Sequence, residues 1–261
     1  MKNTTICAVA LALASSPIFA ADSDELHAFD PRNTQSRIGT MVNTDSGELK
    51  LFAGYGAANL YDAGPEGKTQ TVLFGEYFTD TDNMRARMAH FDSRVGGIYV
   101  DLYGTKLADS YTAGYMLPLE AANGTTKFFP SVNYTYVDVD LNKAAGRIAK
   151  NSGGSVDEIQ SVLHSVGAKD AHLASVNLYA LQPWNDTHYT VIQAMAGQAV
   201  DGIDDLNFVD LMWVQGMQAY VNGQNINIFV EGRYHNIETE VLGPKKRSED
   251  AKISLGIDWR F

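Results

Sequence analysis

The last nine residues, Ile253-Ser254-Leu255-Gly256-Ile257-Asp258-Trp259-Arg260-Phe261, alternate without a break. Every odd position is apolar, and every even position is small, polar or charged. Period two places the two sets on opposite faces of a β-strand. The pattern recurs upstream. From Asn225 to His235, Ile226, Ile228, Val230 and Tyr234 oppose Asn227, Glu231, Arg233 and His235. From Val95 to Tyr103, Ile98, Val100 and Leu102 oppose Tyr99, Asp101 and Tyr103. From Asn83 to Phe91, Met84, Ala86 and Met88 oppose Arg85 and Arg87. So many charges on the second face suit a wall with a wet side better than the dry core of a sandwich. A soluble barrel or sandwich with its polar face outward is the competing reading.

The start of the chain carries an address. Lys2, the short apolar run Ile6–Leu13, the break at Ser15-Ser16-Pro17 and the small residue Ala20 read as a secretory signal peptide over 1–20. The run is too short to cross a bilayer as a helix, and no later stretch is long and apolar enough to do so. Cys7 is the only cysteine and lies inside the leader, which excludes a disulfide framework and any multi-cysteine zinc site. The formal net charge of -11 argues against a nucleic-acid partner, and removal of Lys2 with the leader makes the chain more acidic still. An exported chain without a membrane helix is soluble or a β-barrel.

The C-terminal segment decides between these. An alternating strand that ends in an aromatic residue, with Trp259 two residues before Phe261, resembles the final strand of Gram-negative outer-membrane β-barrels. The resemblance covers this segment and the general strand pattern; it picks out no single family of them. It implies an all-β, antiparallel, porin-like transmembrane barrel in the outer membrane. It further implies that Trp259 and Phe261 form the signal read by the barrel-assembly machinery, with outer-membrane lipid and lipopolysaccharide as surroundings.

Alternation and turn signals place strands near 35–43, 48–58, 69–79, 83–92, 95–104, 109–118, 127–139, 171–182, 187–199, 206–221, 225–238 and 249–261. That is about twelve, an even number; the first six are fainter, so ten is the alternative. Residues 21–34 then form a periplasmic N-terminal segment, and 35–261 the barrel. Counting back from a last strand that runs down to the periplasm, 240–248, 201–205 and 140–170 are external. Asn222-Gly223-Gln224 and Pro183–Asp186 are periplasmic turns. The ten-residue linker near Tyr61–Lys68 breaks the short-inside, long-outside rule. Within 140–170, Ser155 and Glu158 form a capping box. Ile159, Val162 and Leu163 follow at helical spacing, with Leu141, Ala144, Ala145 and Ile148 before them and Gly167 as a stop. This loop is expected to be partly helical. Its apolar stripe serves as a lid or lumen constriction through Ile159, Val162 and Leu163, or packs on itself.

The expected lumen carries both signs: Arg85, Arg87, Arg233, His235 and Lys252 against Glu76, Asp101, Asp210, Glu231 and Asp258. Glu231 and Arg233 share a face, and Lys252 and Asp258 on the next strand are within reach. A search for chemistry finds no phosphate loop, paired-cysteine motif or HExxH. A rim cluster of Asp201, Asp204 and Asp205 with His235 is the best hydrolase candidate, and it is weak because acidic loop clusters are usually solvated. His90 near Ser93 reads as part of a turn. Gly54, Gly56, Gly96 and Gly97 lie in or beside strands and relieve crowding there. Tyr77, Tyr111, Tyr234, Trp184 and Trp259 suit interfacial girdles. No enzyme, cofactor or metal is expected. About twelve strands imply a narrow channel for small hydrophilic solutes. A non-conducting barrel that presents its loops for adhesion or assembly is the alternative.

Overall fold

The computed structural model describes residues 16–17, 26–61, 67–152, 155–165, 170–202, 206–221, 224–239 and 246–261. Twelve strands form the wall: β1 Arg37–Asn43, β2 Leu49–Ala58, β3 Thr69–Phe78, β4 Asn83–Asp92, β5 Gly96–Gly104 and β6 Ala108–Met116, then β7 Lys127–Val139, β8 Asp170–Pro183, β9 His188–Asp201, β10 Asn207–Val221, β11 Gln224–Thr239 and β12 Lys246–Arg260. Each pairs antiparallel with its neighbour in sequence. The ring closes between the last strand and the first, from Arg260 opposite Arg37 to Ser254 opposite Asn43. Closure removes the sheet edges that an open sheet would leave. Outside this ring, Ser16–Pro17 bridges Leu119–Glu120. The sequence-derived strands match the wall one for one, and the number is twelve rather than ten.

The two faces of the wall are chemically opposite. On β12, Ile253, Leu255, Ile257 and Trp259 face outward and exposed, while Ser254, Asp258 and Arg260 are buried. On β11, Ile228 is half exposed, whereas Asn227 and Phe229 are buried between their outward neighbours. Outward apolar residues continue around the ring through Ile38, Leu51, Leu73, Met84, Leu102, Tyr134, Val176, Ile192 and Trp213. A belt of large apolar side chains all round a closed sheet suits hydrocarbon surroundings.

The wall is not of even height. Strands β1–β6 hold seven to ten residues, and β7–β12 hold thirteen to sixteen. A tilted strand of about 9–11 residues spans a bilayer's hydrocarbon. Strands β2–β6, at nine or ten residues, have about that length, β1 at seven falls short of it, and β7–β12 exceed it. The strand ends near Pro183 and Arg260 define the turn end, and the opposite rim is the loop end.

At the loop end, α1 Leu141–Ser152 and α2 Val156–Ser165 form a helical hairpin between β7 and β8. Asp140 caps α1: its carboxylate accepts from the Lys143 N–H at 3.1 Å and its carbonyl from Ala144 at 2.9 Å. Ser155 starts α2 as the capping pattern predicts, its carbonyl accepting from the Ile159 N–H. Leu141, Ala145 and Leu163 are buried together, with Val139, Ala144 and Ile159 packed against them. The expected constriction by Ile159, Val162 and Leu163 is therefore not formed. The stripe closes on the hairpin itself, whose two apolar faces cover each other, and Val162 remains half exposed. Gly167 lies outside the described residues.

Residues 26–36 give a second correction. The sequence reading sets 21–34 as a periplasmic segment and starts the first strand near 35; residues 26–34, with 35 and 36, fold instead into the lumen at the turn end. The Asp30 N–H donates to His27 O at 2.8 Å and the Asn33 N–H to Asp30 O at 2.9 Å, two successive turns that double the chain back. The segment is called the strap below.

Candidate functional site

The lumen is a concave surface that all the strands build jointly, and alternation decides which side chains enter it. Glu76, Arg85, Arg87, Asp101, Asp210, Glu231, Arg233, His235, Lys252 and Asp258 stand on the strand faces opposite the exposed apolar residues. Glu76 on β3, its side chain 4 % exposed, accepts from Lys50 Nζ on β2 and Arg87 Nη2 on β4, both at 2.8 Å. Arg85 on β4 binds Asp101 on β5 through two nitrogens, Nε lying 2.9 and 3.0 Å from its two oxygens, and the Tyr99 hydroxyl donates to the same carboxylate at 2.9 Å. On the facing wall His235 Nδ1 stands 3.3 Å from Asp210, and Arg233 Nε 3.5 Å from Glu231. Lys252 bridges to Asp250 at 3.0 Å, and Asp258 to Arg260 at 2.7 Å. Lys252 and Asp258 thus do not join Glu231 and Arg233: each finds its partner two residues away on its own strand. Pairing of this kind satisfies charges that would otherwise be costly away from bulk water.

The turn-end half of the lumen is not an open, charged passage. Leu181, Tyr189, Val191, Val214 and Phe229 are buried together with Phe52 and Met41, and Phe29, Phe74, Tyr179 and Met212 pack on them. Phe91, Met116 and Phe129 form a neighbouring cluster. Inward aromatics stand opposite inward glycines on the next strand: Gly216 faces Tyr189, Gly256 faces Phe229, and Gly39 faces Phe52. A Cβ on Gly216 would lie 2.0 Å from Tyr189 Oη, and one on Gly256 would lie 2.2 Å from Phe229 Cζ. These rings therefore lie flat along the wall because the facing residue has no side chain.

The strap closes what the aromatics leave. Phe29 stacks on Tyr189, ring centroids 4.2 Å apart, and meets Phe229 edge-on at 6.2 Å. The Arg260 guanidinium lies 4.5 Å from the Phe29 centroid, and that of Arg37 lies between Phe29 and Phe74 at 5.8 and 4.5 Å. Tyr179 donates to the Phe29 carbonyl at 2.7 Å, and Arg260 donates to the Ala28 carbonyl. A buried chain positions Arg260: Tyr189 donates to Asn227 at 2.9 Å, Asn227 to Asp258 at 2.8 Å, and Arg260 to Asp258. Within the strap, Asp30 holds Arg32 through two nitrogens at 2.9 and 2.8 Å, both side chains nearly fully buried, and Arg32 lies over the Phe129 ring at 5.5 Å.

The lumen residues named from the sequence omit Arg37, Lys50, Tyr99, Asn227 and Arg260, although Tyr99, Asn227 and Arg260 already stand on the polar face of their strands there. The signal for each was available, since all share the inward face of a strand already recognised. Phe29, Asp30 and Arg32 carried no such signal. Of the rim hydrolase candidates, Asp204 and Asp205 lie outside the described residues, and His235 is engaged with Asp210. His90 faces outward at the turn end, its Nδ1 2.8 Å from Thr71 Oγ1, not paired with Ser93. Among the described residues, no group of three or more His, Cys, Asp or Glu side chains is arranged to hold a metal ion. Tyr111, Trp184 and Trp259 stand outward and exposed, as girdle residues do.

A closed ring of twelve antiparallel strands with an apolar outer face and a charged inner one can be set beside solved structures. The NanC porin superimposes with a TM-score of 0.51 at 8 % identity, covering 87 % of this chain and 100 % of that one. The chain has the fold of an outer-membrane porin. Alignments also reach the KdgM porin (9 % identity, 87 % and 99 % covered, TM-score 0.41) and the outer membrane channel DcaP of Acinetobacter baumannii (10 % identity, 87 % and 95 % covered, TM-score 0.31). No protein-family model matches the sequence, and a search of curated proteins finds no match.

Proposed function

We propose that this porin-fold protein is a narrow channel for small hydrophilic solutes in the outer membrane of a Gram-negative bacterium. The observation that carries the reading is the opposition of the wall's two faces. Apolar residues ring the outside, while Lys50, Glu76, Arg85, Arg87, Asp101, Asp210, Glu231, Arg233, Lys252 and Asp258 face inward. Charges of both signs keep a lumen wet and favour small polar solutes over one ion class. In this reading the ten sequence-derived residues line the path. Trp259 and Phe261, exposed side by side with ring centroids 5.3 Å apart, are read by the assembly machinery. Lipopolysaccharide surrounds the loop end.

The test is the current through a planar bilayer containing the refolded barrel. Discrete openings are expected. Lys252→Glu, at an inward position where the side chain is half exposed, should shift the reversal potential toward cations while leaving the buried pairs intact. A folded barrel that carries no current, with and without the strap, would overturn the reading. The strap in the lumen favours a second reading, a non-conducting scaffold that displays its loops. That reading predicts the same silence, together with loss of surface binding when the 140–170 loop is removed.

A further inference from the structure

We infer that the strap, residues 26–36, is a releasable plug, and that its departure from the turn end of the lumen opens the channel; this rests on the channel reading above. The strap touches the wall through groups contributed by β7, β8, β9, β10, β11 and β12: Phe129, Tyr179, Tyr189, Gln218, Phe229 and Arg260. On the opposite side it crosses β2 at Gly56. A Cβ there would lie 2.1 Å from Thr34 O and 2.4 Å from Thr34 Cα, so the backbone of the strap runs through the space a side chain would need. Contacts on both sides of the ring mean that the segment spans the lumen instead of lining one wall.

Its chemistry suits release as well as docking. Its buried charges are paired internally, Asp30 with Arg32, and the Asn33 amide donates to its own Leu26 carbonyl at 2.9 Å. The strap can therefore leave with its ion pair intact, so departure strands no buried charge of its own. Its backbone pairs with the barrel's next to β1, where Ser36 and Phe261 exchange hydrogen bonds at 3.0 and 3.1 Å. The wall it leaves behind presents Arg37, Arg260, Tyr179 and Tyr189, a polar and aromatic surface that water can enter.

Gly56→Ala tests the plug without changing any strap residue, and deletion of 26–33 tests it directly. Both are compared with the wild-type barrel after refolding is verified by circular dichroism and heat-dependent gel migration. Trypsin provides a readout independent of current. Arg32 is buried, so the Arg32–Asn33 bond is protected in the docked state, and mass spectrometry of the N-terminal fragment reports its cleavage. The expected result is slow cleavage and small or rare openings in the wild type, faster cleavage in Gly56→Ala, and a several-fold larger mean current in both variants. Rapid cleavage after Arg32 in the folded wild type would overturn the docked strap. Protection in the wild type together with the same current from the deletion variant would overturn the plug while leaving the channel standing. Silence from the folded deletion variant would overturn the channel and the plug together.

Discussion

At the level of single residues, the inner wall is shaped by what certain positions lack. Tyr189 and Phe229 occupy room that Gly216 and Gly256 leave vacant on the adjacent strand. A methyl group at either glycine must displace a ring already packed against the strap, and overpacking of this kind costs about 1–3 kcal/mol. Gly216→Ala and Gly256→Ala are expected to lower the unfolding midpoint of the refolded barrel in urea. Gly75→Ala is the control: it stands on the outer face, and nothing lies within 4 Å of the Cβ it would gain, so its midpoint should match the wild type. Equal losses at all three positions would show that strand propensity, not the aromatic contact, is being measured. Alternation in the sequence reveals which glycines face inward. It does not reveal that an aromatic lies opposite, because that depends on register between strands, and register is set across turns.

Among the elements, strands were legible and the strap was not, for one physical reason. A strand between two different media must repeat every two residues, so β12 is readable from Ile253 to Phe261 without knowledge of its partners. Leu26-His27-Ala28-Phe29-Asp30-Pro31-Arg32-Asn33 has no period, and its conformation is fixed by partners on six strands. The helical hairpin was readable as helix from Ser155, Glu158 and its apolar spacing, but the spacing cannot say what covers the stripe. Since the stripe covers itself, deletion of 141–165 with a short connector should leave barrel refolding and mean current unchanged; a large rise in current would restore the lid reading. The strap carries a pH dependence of its own. His27 Nδ1 accepts from the Phe29 N–H at 3.2 Å, its Nε2 lies 3.3 Å from the Gln218 side chain, and Tyr189, Arg260 and Asp30 are its other neighbours. Burial, followed by Arg260, lowers its pKa from 6.5 to about 4, with Asp30 opposing. A released His27 takes up a proton near pH 6.5, whereas a docked one resists until about pH 4. Docking is therefore unaffected above pH 6.5 and weakens as pH falls from there toward 4. The current should rise over that window in the wild type, and His27→Gln should abolish that component.

For the whole molecule, the ring joins its first strand to its last: β1 pairs with β12, and Ser36 pairs with Phe261. The twelve-strand count and the alternating sides were legible because they depend on local pattern. The uneven height, with β7–β12 longer than β1–β6, was visible only as the greater clarity of the later strands. Pairing the first strand with the last is the contact of greatest sequence separation in the wall, and such contacts form late. The strap is continuous with β1, and its seat includes Arg260 on β12. Ring closure and seating of the strap therefore draw on the same two strands. A chain that zips from β2 through to β12 keeps a gap in its side until the seam forms, and through that gap the N-terminal segment can be laid sideways into the bore without being threaded end-on. The order of assembly thus becomes part of the gating problem: the barrel acquires its stopper as it becomes a barrel.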